Sequence, residues 1–238
     1  MQGYCRKIIP FSSVDGPGNR TVIFLQGCNF HCFYCHNPET QPLGGSGQPD
    51  ADVVSRDHME LVAEVLLYRD FIRGVTLSGG ECTVQLPFLM ALCQELQNNK
   101  IEVFIDTNGH LAHADFRRLC QYVDACMFDI KAMDEAVHLQ LTGQSNNLVL
   151  QNLRYAIELQ KIYEIRTVIV PDLLPNCHTV IEASRLISRD PRIRYKLIKF
   201  RPRGVQALLP TMHMPSDDYM VELCTLARSC GVAICLTV

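Results

Sequence analysis

The chain has 238 residues, 47% hydrophobic and 20% charged, enough for one sizeable core and too few for two large domains. Its formal net charge of -3 gives no electrostatic footprint for nucleic acid. No apolar run reaches membrane-spanning length and the first residues lack the long apolar stretch of a signal peptide, so a soluble, cytoplasmic protein is expected. The twelve cysteines then read as reduced thiols and metal ligands rather than a disulfide framework.

Along the chain, β-like apolar segments alternate with helical ones, which predicts an α/β fold with a parallel sheet. Strands are expected over residues 21–25, 74–77, 101–105, 125–128, 165–170 and 194–200, with short edge strands near 6–9 and 232–236. Helices are expected over 55–69, 86–98, 114–120, 148–160, 179–188 and 216–229. Six βα units in succession fit an incomplete (β/α) barrel, one domain over residues 1–238. Residues 41–52, glycine-rich through Gly44-Gly45-Ser46-Gly47, read as a flexible linker.

In βα barrels the reactive groups gather beyond the carboxyl ends of the strands. Here the first strand runs into a cysteine loop and the second into Ser78-Gly79-Gly80-Glu81. Asp106 ends the third, Asp129 and Lys131 the fourth, Pro171-Asp172 follows the fifth, and Arg201 and Arg203 end the sixth. On the sixth strand Arg192, Arg194 and Lys196 read as a solvated outer face, leaving Lys199, Arg201 and Arg203 to point toward the mouth.

The cysteine loop is the most specific signal. Cys28, Cys32 and Cys35 place three thiols within eight residues. A structural zinc site takes four protein ligands and a conventional four-iron cluster four cysteines, so three suggest a cluster with one iron left open to a small molecule. The competing reading is a zinc knuckle completed by His31 or His36; the flanking motifs outweigh it. The other nine cysteines sit mostly in apolar contexts and read as small buried hydrophobes. Of these Cys82, directly after the glycine-rich turn, is expected nearest the site.

The C-x3-C-x2-C spacing followed by His36-Asn37-Pro38 resembles the cluster loop of radical S-adenosylmethionine (SAM) enzymes, and more closely that of the glycyl-radical-enzyme activases of the pyruvate formate-lyase activating type. Val14-Asp15-Gly16-Pro17-Gly18-Asn19-Arg20, Ser78-Gly79-Gly80-Glu81, Asp106-Thr107-Asn108-Gly109 and Met127-Phe128-Asp129-Ile130-Lys131 follow in the family's order. The resemblance implies a partial (β/α)6 TIM barrel and an oxidoreductase. Cys28, Cys32 and Cys35 would carry a [4Fe-4S] cluster, with Ser78, Gly79 and Gly80 at the amino group of SAM and Glu81 orienting them. Asp106, Thr107, the Met127 carbonyl and Asp129 would surround a monovalent cation. Tyr34, His36, Asn37, Asp106, Asp129, Lys131 and Arg201 complete the implied cofactor-binding set, although the family pattern has a histidine where Arg201 falls.

The implied partners are a glycyl radical enzyme, whose glycine loop is the substrate, and a low-potential electron donor such as flavodoxin or ferredoxin, with the activase a monomer. Asp15-Gly16-Pro17-Gly18 is expected to help line the path of that loop, or to serve close backbone packing. In one branch of the family a ferredoxin-like insert with two further clusters stands where Gly44-Gly45-Ser46-Gly47 lies, and an engineered linker replacing it is one reading of that stretch. Two other functions stay open: a radical SAM enzyme acting on a small molecule, and a non-catalytic iron-sulfur electron-transfer protein.

Overall fold

A computed structural model describes residues 1–42, 52–205 and 212–238. The linker at 43–51 lies outside the described residues. The chain divides into two compact units, one of Met1–Asn29, Glu39–Thr107 and Leu111–Met127, the other of Phe30–Pro38, Asn108–His110 and Phe128–Val238.

The first unit contains β1 (Gln2–Ser12), β2 (Arg20–Leu25), β3 (Val54–Asp57), α1 (His58–Leu66), β4 (Gly74–Gly79), α2 (Leu86–Asn98), β5 (Glu102–Thr107) and α3 (His113–Leu119). Its strands are ordered β3-β1-β2-β4-β5. β1 runs antiparallel to β2 and β3, whereas β2, β4 and β5 are parallel, with Leu25 opposite Gly79 and Leu77 opposite Ile105. β6 (Ala125–Asp129) carries residues of both units. The second unit holds α4 (Glu135–Thr142), α5 (Asn147–Glu158), β7 (Ile162–Ile169), α6 (Asn176–Ile187), β8 (Arg194–Lys199), α7 (Asp217–Ser229) and β9 (Ile234–Thr237). β7, β8 and β9 are parallel neighbours. β3 and β9 are edge strands, so the sheet does not close on itself, consistent with the expected (β/α)6 partial barrel.

Three elements differ from the sequence reading. β1, expected as a short edge strand near 6–9, runs Gln2–Ser12 and is paired on both sides, with β2 and with β3. Residues 55–57, expected as the start of a helix, form with Val54 a strand on β1, with Val54 opposite Cys5 and Asp57 opposite Gln2. Asp57 explains the switch: its carboxylate accepts from the Met59 amide and Glu60 reaches back, a capping box that starts α1 only there. Helix α4 was not expected at all. Asp134 caps its start, accepting from the Val137 amide, and Gly143, at φ 81°, ends it.

The basic residues of β8 also sit differently. Lys196 is not on a solvated face: its side chain is 16% exposed and pairs at 2.9 Å with Glu164, which is 2% exposed and also pairs with Arg166 at 2.7 Å. Arg194 lies over the Tyr163 ring at 4.9 Å, and only Arg192 behaves as expected, exposed and paired with Asp190. Lys199, the last residue of β8, pairs with Asp217, the first of α7. Alternation along a strand fixes which residues share a face, but not which face water reaches.

Val14-Asp15-Gly16-Pro17-Gly18-Asn19-Arg20 leads into β2, whose first residue is Arg20, so it lies at the amino end of the strand whose carboxyl end leads to Cys28. Arg20 is fully buried, its Nε on Thr76 Oγ1 at 2.9 Å, Nη1 on Glu102 at 2.5 Å and Nη2 on the Val75 carbonyl at 2.8 Å. Its guanidinium covers the Phe104 ring at 4.1 Å, and the Thr76 hydroxyl donates onward to the Asp15 carbonyl at 2.6 Å. Gly16 has φ 125°, and a Cβ there would fall 2.8 Å from Arg20 Cδ. Close packing thus accounts for this glycine. Arg20→Ala is expected to cost about 3 kcal/mol, since it removes a buried cation and its hydrogen bonds while leaving their partners behind. Urea unfolding checks this; a loss under about 1 kcal/mol would mean water replaces the guanidinium.

Candidate active site

In the first unit β2 runs out through Gln26 and Gly27 to Cys28. The Gly27 amide donates to Thr40 O at 2.8 Å and the Cys28 amide to Gln41 O at 3.0 Å, while Gly27 O accepts from the Glu81 amide at 2.8 Å. The start of the cysteine loop is therefore laced between residues 40–41 and the turn after β4. Gln85 adds a clamp that no motif marks, its Nε2 donating to Tyr4 O and Gln26 O at 2.8 and 2.9 Å.

The turn Ser78-Gly79-Gly80-Glu81 is built for backbone contact. Gly79 has φ 134°, and a Cβ would fall 2.0 Å from Leu25 O; at Gly80 it would fall 2.4 Å from Gly27 O. Packing of chain on chain, rather than approach of a ligand, is what excludes a side chain at both. Glu81, 1% exposed, organises the turn from below. Its Oε1 accepts from the Thr83 amide (3.1 Å), Thr83 Oγ1 (2.7 Å) and Thr107 Oγ1 (2.8 Å). That last bond ties the end of β4 to the end of β5. Beside it, the Ser78 hydroxyl donates to Asp106 at 3.2 Å, and the Cys82 thiol lies 3.6 Å from Asp106 O. Cys82 is fully buried, and burial with the neighbouring Glu81 charge pushes its pKa well up, so it stays a neutral thiol. Met127 is buried in this unit.

The second unit holds the rest of the loop. Cys32, Phe33 and Tyr34 pack against Leu141, Val170, Phe200 and Met212. Burial pushes Cys32 up to about 11, with the Lys131 charge opposing. The Tyr34 hydroxyl is buried with no hydrogen-bond partner among the described residues. Lys131 Nζ lies 6.0 Å from the Tyr34 ring centroid and pairs with Asp129 at 2.8 Å. Burial pulls its pKa down, but the Asp129 carboxylate and the neighbouring Tyr34 and Cys32 together raise it above the ordinary value, so Lys131 remains a cation. His36 is seated against Phe200 and the Arg201 main chain. The Arg201 side chain and Asn37 are exposed.

A support for the loop that the sequence did not reveal comes from α4. The His31 amide donates to Thr142 O at 3.0 Å, and Phe30 packs edge-on to His138 with centroids 5.3 Å apart and against His110 at 5.5 Å. His138 Nδ1 donates to Gln144 O at 2.7 Å, leaving Nε2 buried without a partner among the described residues. A lone histidine in a short helix carries no sequence signal of such a role. Burial lowers its pKa below the ordinary 6.5, with nearby His110 and Lys131 adding to it against the Gln144 hydrogen bond and Glu135. The unfolded chain then binds the proton more readily. His138 therefore contributes stability above about its ordinary pKa that is lost as pH falls through it. Wild type is expected to lose more stability than His138→Asn between neutral and mildly acidic pH, measured by denaturant midpoints; parallel losses would show that His138 does not titrate on unfolding.

Cysteine placement agrees with the sequence reading: none of the twelve forms a disulfide, and seven of the nine outside the loop are buried, Cys177 being exposed and Cys230 half-buried. Among the described residues no three Cys, His, Asp or Glu side chains are drawn together as a formed metal site. The fit to a cluster rests on donor chemistry. Cys28, Cys32 and Cys35 are half-buried thiols, the soft ligands that iron-sulfur clusters take.

A loop of three cysteines after the first parallel strand, with a glycine turn and an aspartate at the carboxyl ends of the next two, defines a known class. The model of the radical SAM superfamily matches residues 22–178. A Haemophilus influenzae protein named, provisionally, as a glycyl-radical enzyme activating enzyme is 32% identical over 98% of this chain and 95% of its own length. The pyruvate formate-lyase-activating enzyme of Staphylococcus epidermidis is 32% identical over 93% of this chain and 94% of its own. Among solved structures, a domain of a pyruvate-formate lyase-activating enzyme from Bacteroides vulgatus superposes with a TM-score of 0.58 at 20% identity, covering 69% of this chain and 98% of that one. The chain belongs to the radical SAM superfamily and, within it, to the glycyl-radical-enzyme activating enzymes. Membership implies an iron-sulfur cluster and SAM. Among the described residues no helix is long and apolar enough to cross a membrane.

Proposed function

We propose that the protein activates a glycyl radical enzyme, working in the cytoplasm as a monomer with a single catalytic domain. The observation that carries this reading is the gathering of Cys28, just beyond the carboxyl end of β2, with Ser78 and Asp106, each next to last in β4 and β5, at the carboxyl ends of three adjacent parallel strands. Cys28, Cys32 and Cys35 would hold a [4Fe-4S] cluster, which when bound supplies the electron, drawn from a donor such as flavodoxin or ferredoxin, that splits SAM into methionine and a 5′-deoxyadenosyl radical able to take hydrogen from the partner's glycine α-carbon.

The chain's own residues orient and enclose. Ser78, Gly79 and Gly80 offer main-chain and hydroxyl groups to the amino end of SAM, on a turn that Glu81 keeps in place. Lys131, held as a cation by Asp129, suits a carboxylate or a ribose hydroxyl. Asp106, Thr107, the Met127 carbonyl and Asp129 supply the hard oxygens that a monovalent cation prefers. Tyr34, His36 and Asn37 complete the loop side. Arg201, with an exposed side chain, contributes through its main chain to seating His36.

Anaerobic reconstitution, reduction with dithionite in the presence of SAM and assay for 5′-deoxyadenosine test the reading. Product is expected from wild type; its absence from a well-formed cluster would favour the non-catalytic electron-transfer alternative.

A further inference from the structure

The residues that follow β8 fold back on the cysteine loop. His36, bonded directly to Cys35, is fixed there in three ways. Its Nε2 pairs with the Arg201 carbonyl oxygen at 2.8 Å. Its ring stacks on Phe200 with centroids 5.8 Å apart and planes 20° apart. Gly204, at φ 88°, approaches so closely that a Cβ would fall 2.6 Å from the His36 carbonyl oxygen. A short basic segment is thereby fastened to the residue next to a cluster cysteine.

The charges on that segment are available. Arg201 and Arg203 are both exposed, and neither has an ion-pair partner among the described residues. The preceding cations of the same stretch are all engaged: Arg192 by Asp190, Arg194 by the Tyr163 ring, Lys196 by Glu164 and Lys199 by Asp217. The chain as a whole is negative, at -3. A protein with an acidic surface is therefore disfavoured over most approaches and drawn in where unpaired cations stand out. Exposed guanidinium groups also meet carboxylates in a two-pronged geometry.

We propose that Arg201 and Arg203 form the docking edge for an acidic one-electron carrier protein. This rests on the activase reading, because SAM cleavage is what calls for an electron at the cysteines. In the step served, the carrier is oxidised by one electron and the cluster is reduced by one, with no bond or proton moving. From the edge, a path of one hydrogen bond and one peptide unit runs through Arg201 O and His36 to Cys35. Redox encounters bury little surface, so two arginines and the main chain around them are a sufficient anchor. Charges at the rim of such a contact act chiefly on association rate and salt dependence.

The test is calorimetric titration of the reconstituted holoenzyme with an oxidised flavodoxin, an acidic flavin mononucleotide carrier, at low and at physiological salt. Arg203→Glu is expected to weaken binding about tenfold and to flatten its salt dependence. SAM cleavage driven by dithionite should stay at the wild-type rate. Arg154→Glu, an exposed change on α5 with the same effect on net charge, should leave carrier affinity within about twofold. Wild-type affinity and salt slope in Arg203→Glu would overturn the docking edge, as would an equal loss in Arg154→Glu. Absence of dithionite-driven cleavage in wild type would instead overturn the activase reading, whereas the docking edge stands or falls on the binding titration alone.

Discussion

Gly79→Ala is expected to destabilise the protein by more than about 4 kcal/mol and to abolish SAM binding. Two independent penalties meet at this residue. Its φ of 134° is open to glycine and strained for any other residue. The added carbon would also lie 2.0 Å from Leu25 O and 2.5 Å from Leu25 N, atoms of the β2 backbone that cannot rotate away. β2 and β4 would have to separate where Leu25 faces Gly79, and the Gly80 amide would lose its 3.2 Å bond to Leu25 O. Because Cys28 is three residues beyond Leu25, the disturbance reaches the cysteine loop. Thermal or denaturant unfolding gives the stability, and titration with SAM the binding. A variant within about 1 kcal/mol of wild type would show that the turn relaxes at little cost.

Single changes of Cys28, Cys32 or Cys35 to alanine are expected to remove 5′-deoxyadenosine formation to below about one-thousandth of the wild-type rate, with reconstituted iron falling in parallel. Three thiols already leave one iron of a four-iron cluster without a protein ligand, so two leave a set too small to retain it. Stability should change little, because all three side chains are half-buried and none is in a disulfide. That contrast separates this loss from the one at Gly79. The same change at Cys82, a buried thiol beside Asp106, is a packing change and should leave the iron content intact. Retention of iron and product in any of the three loop variants would remove that cysteine from the ligand set.

Most of the sheet was legible because each parallel strand is a compact apolar run that stops at a polar motif. The run at 21–25 became Arg20–Leu25, that at 74–77 became Gly74–Gly79, and helix Leu86–Asn98 fell where its apolar periodicity placed it. β3 was missed because its four residues are exposed or half-buried and carry no apolar run. α4 was missed for a related reason: two of its three buried residues, His138 and Thr142, are polar, so the helical stripe is blank where it matters. Lys196 was misplaced because a strand pattern cannot reveal that Glu164 waits buried on the neighbouring strand. At the site, strand ends could be read and so could Cys28, Ser78 and Asp106. The contacts that hold them, from Gln85, Glu81 and Thr107, join segments far apart in sequence and became visible only in the fold.

The most direct test of activase function is electron paramagnetic resonance of a glycyl radical protein after anaerobic incubation with the reduced, reconstituted enzyme and SAM. A stable glycyl radical doublet, formed with one 5′-deoxyadenosine per radical and lost when the partner's glycine is changed to alanine, is the predicted result. Cleavage of SAM that leaves no protein radical in any glycyl radical enzyme offered, and proceeds instead with a small molecule, would contradict it.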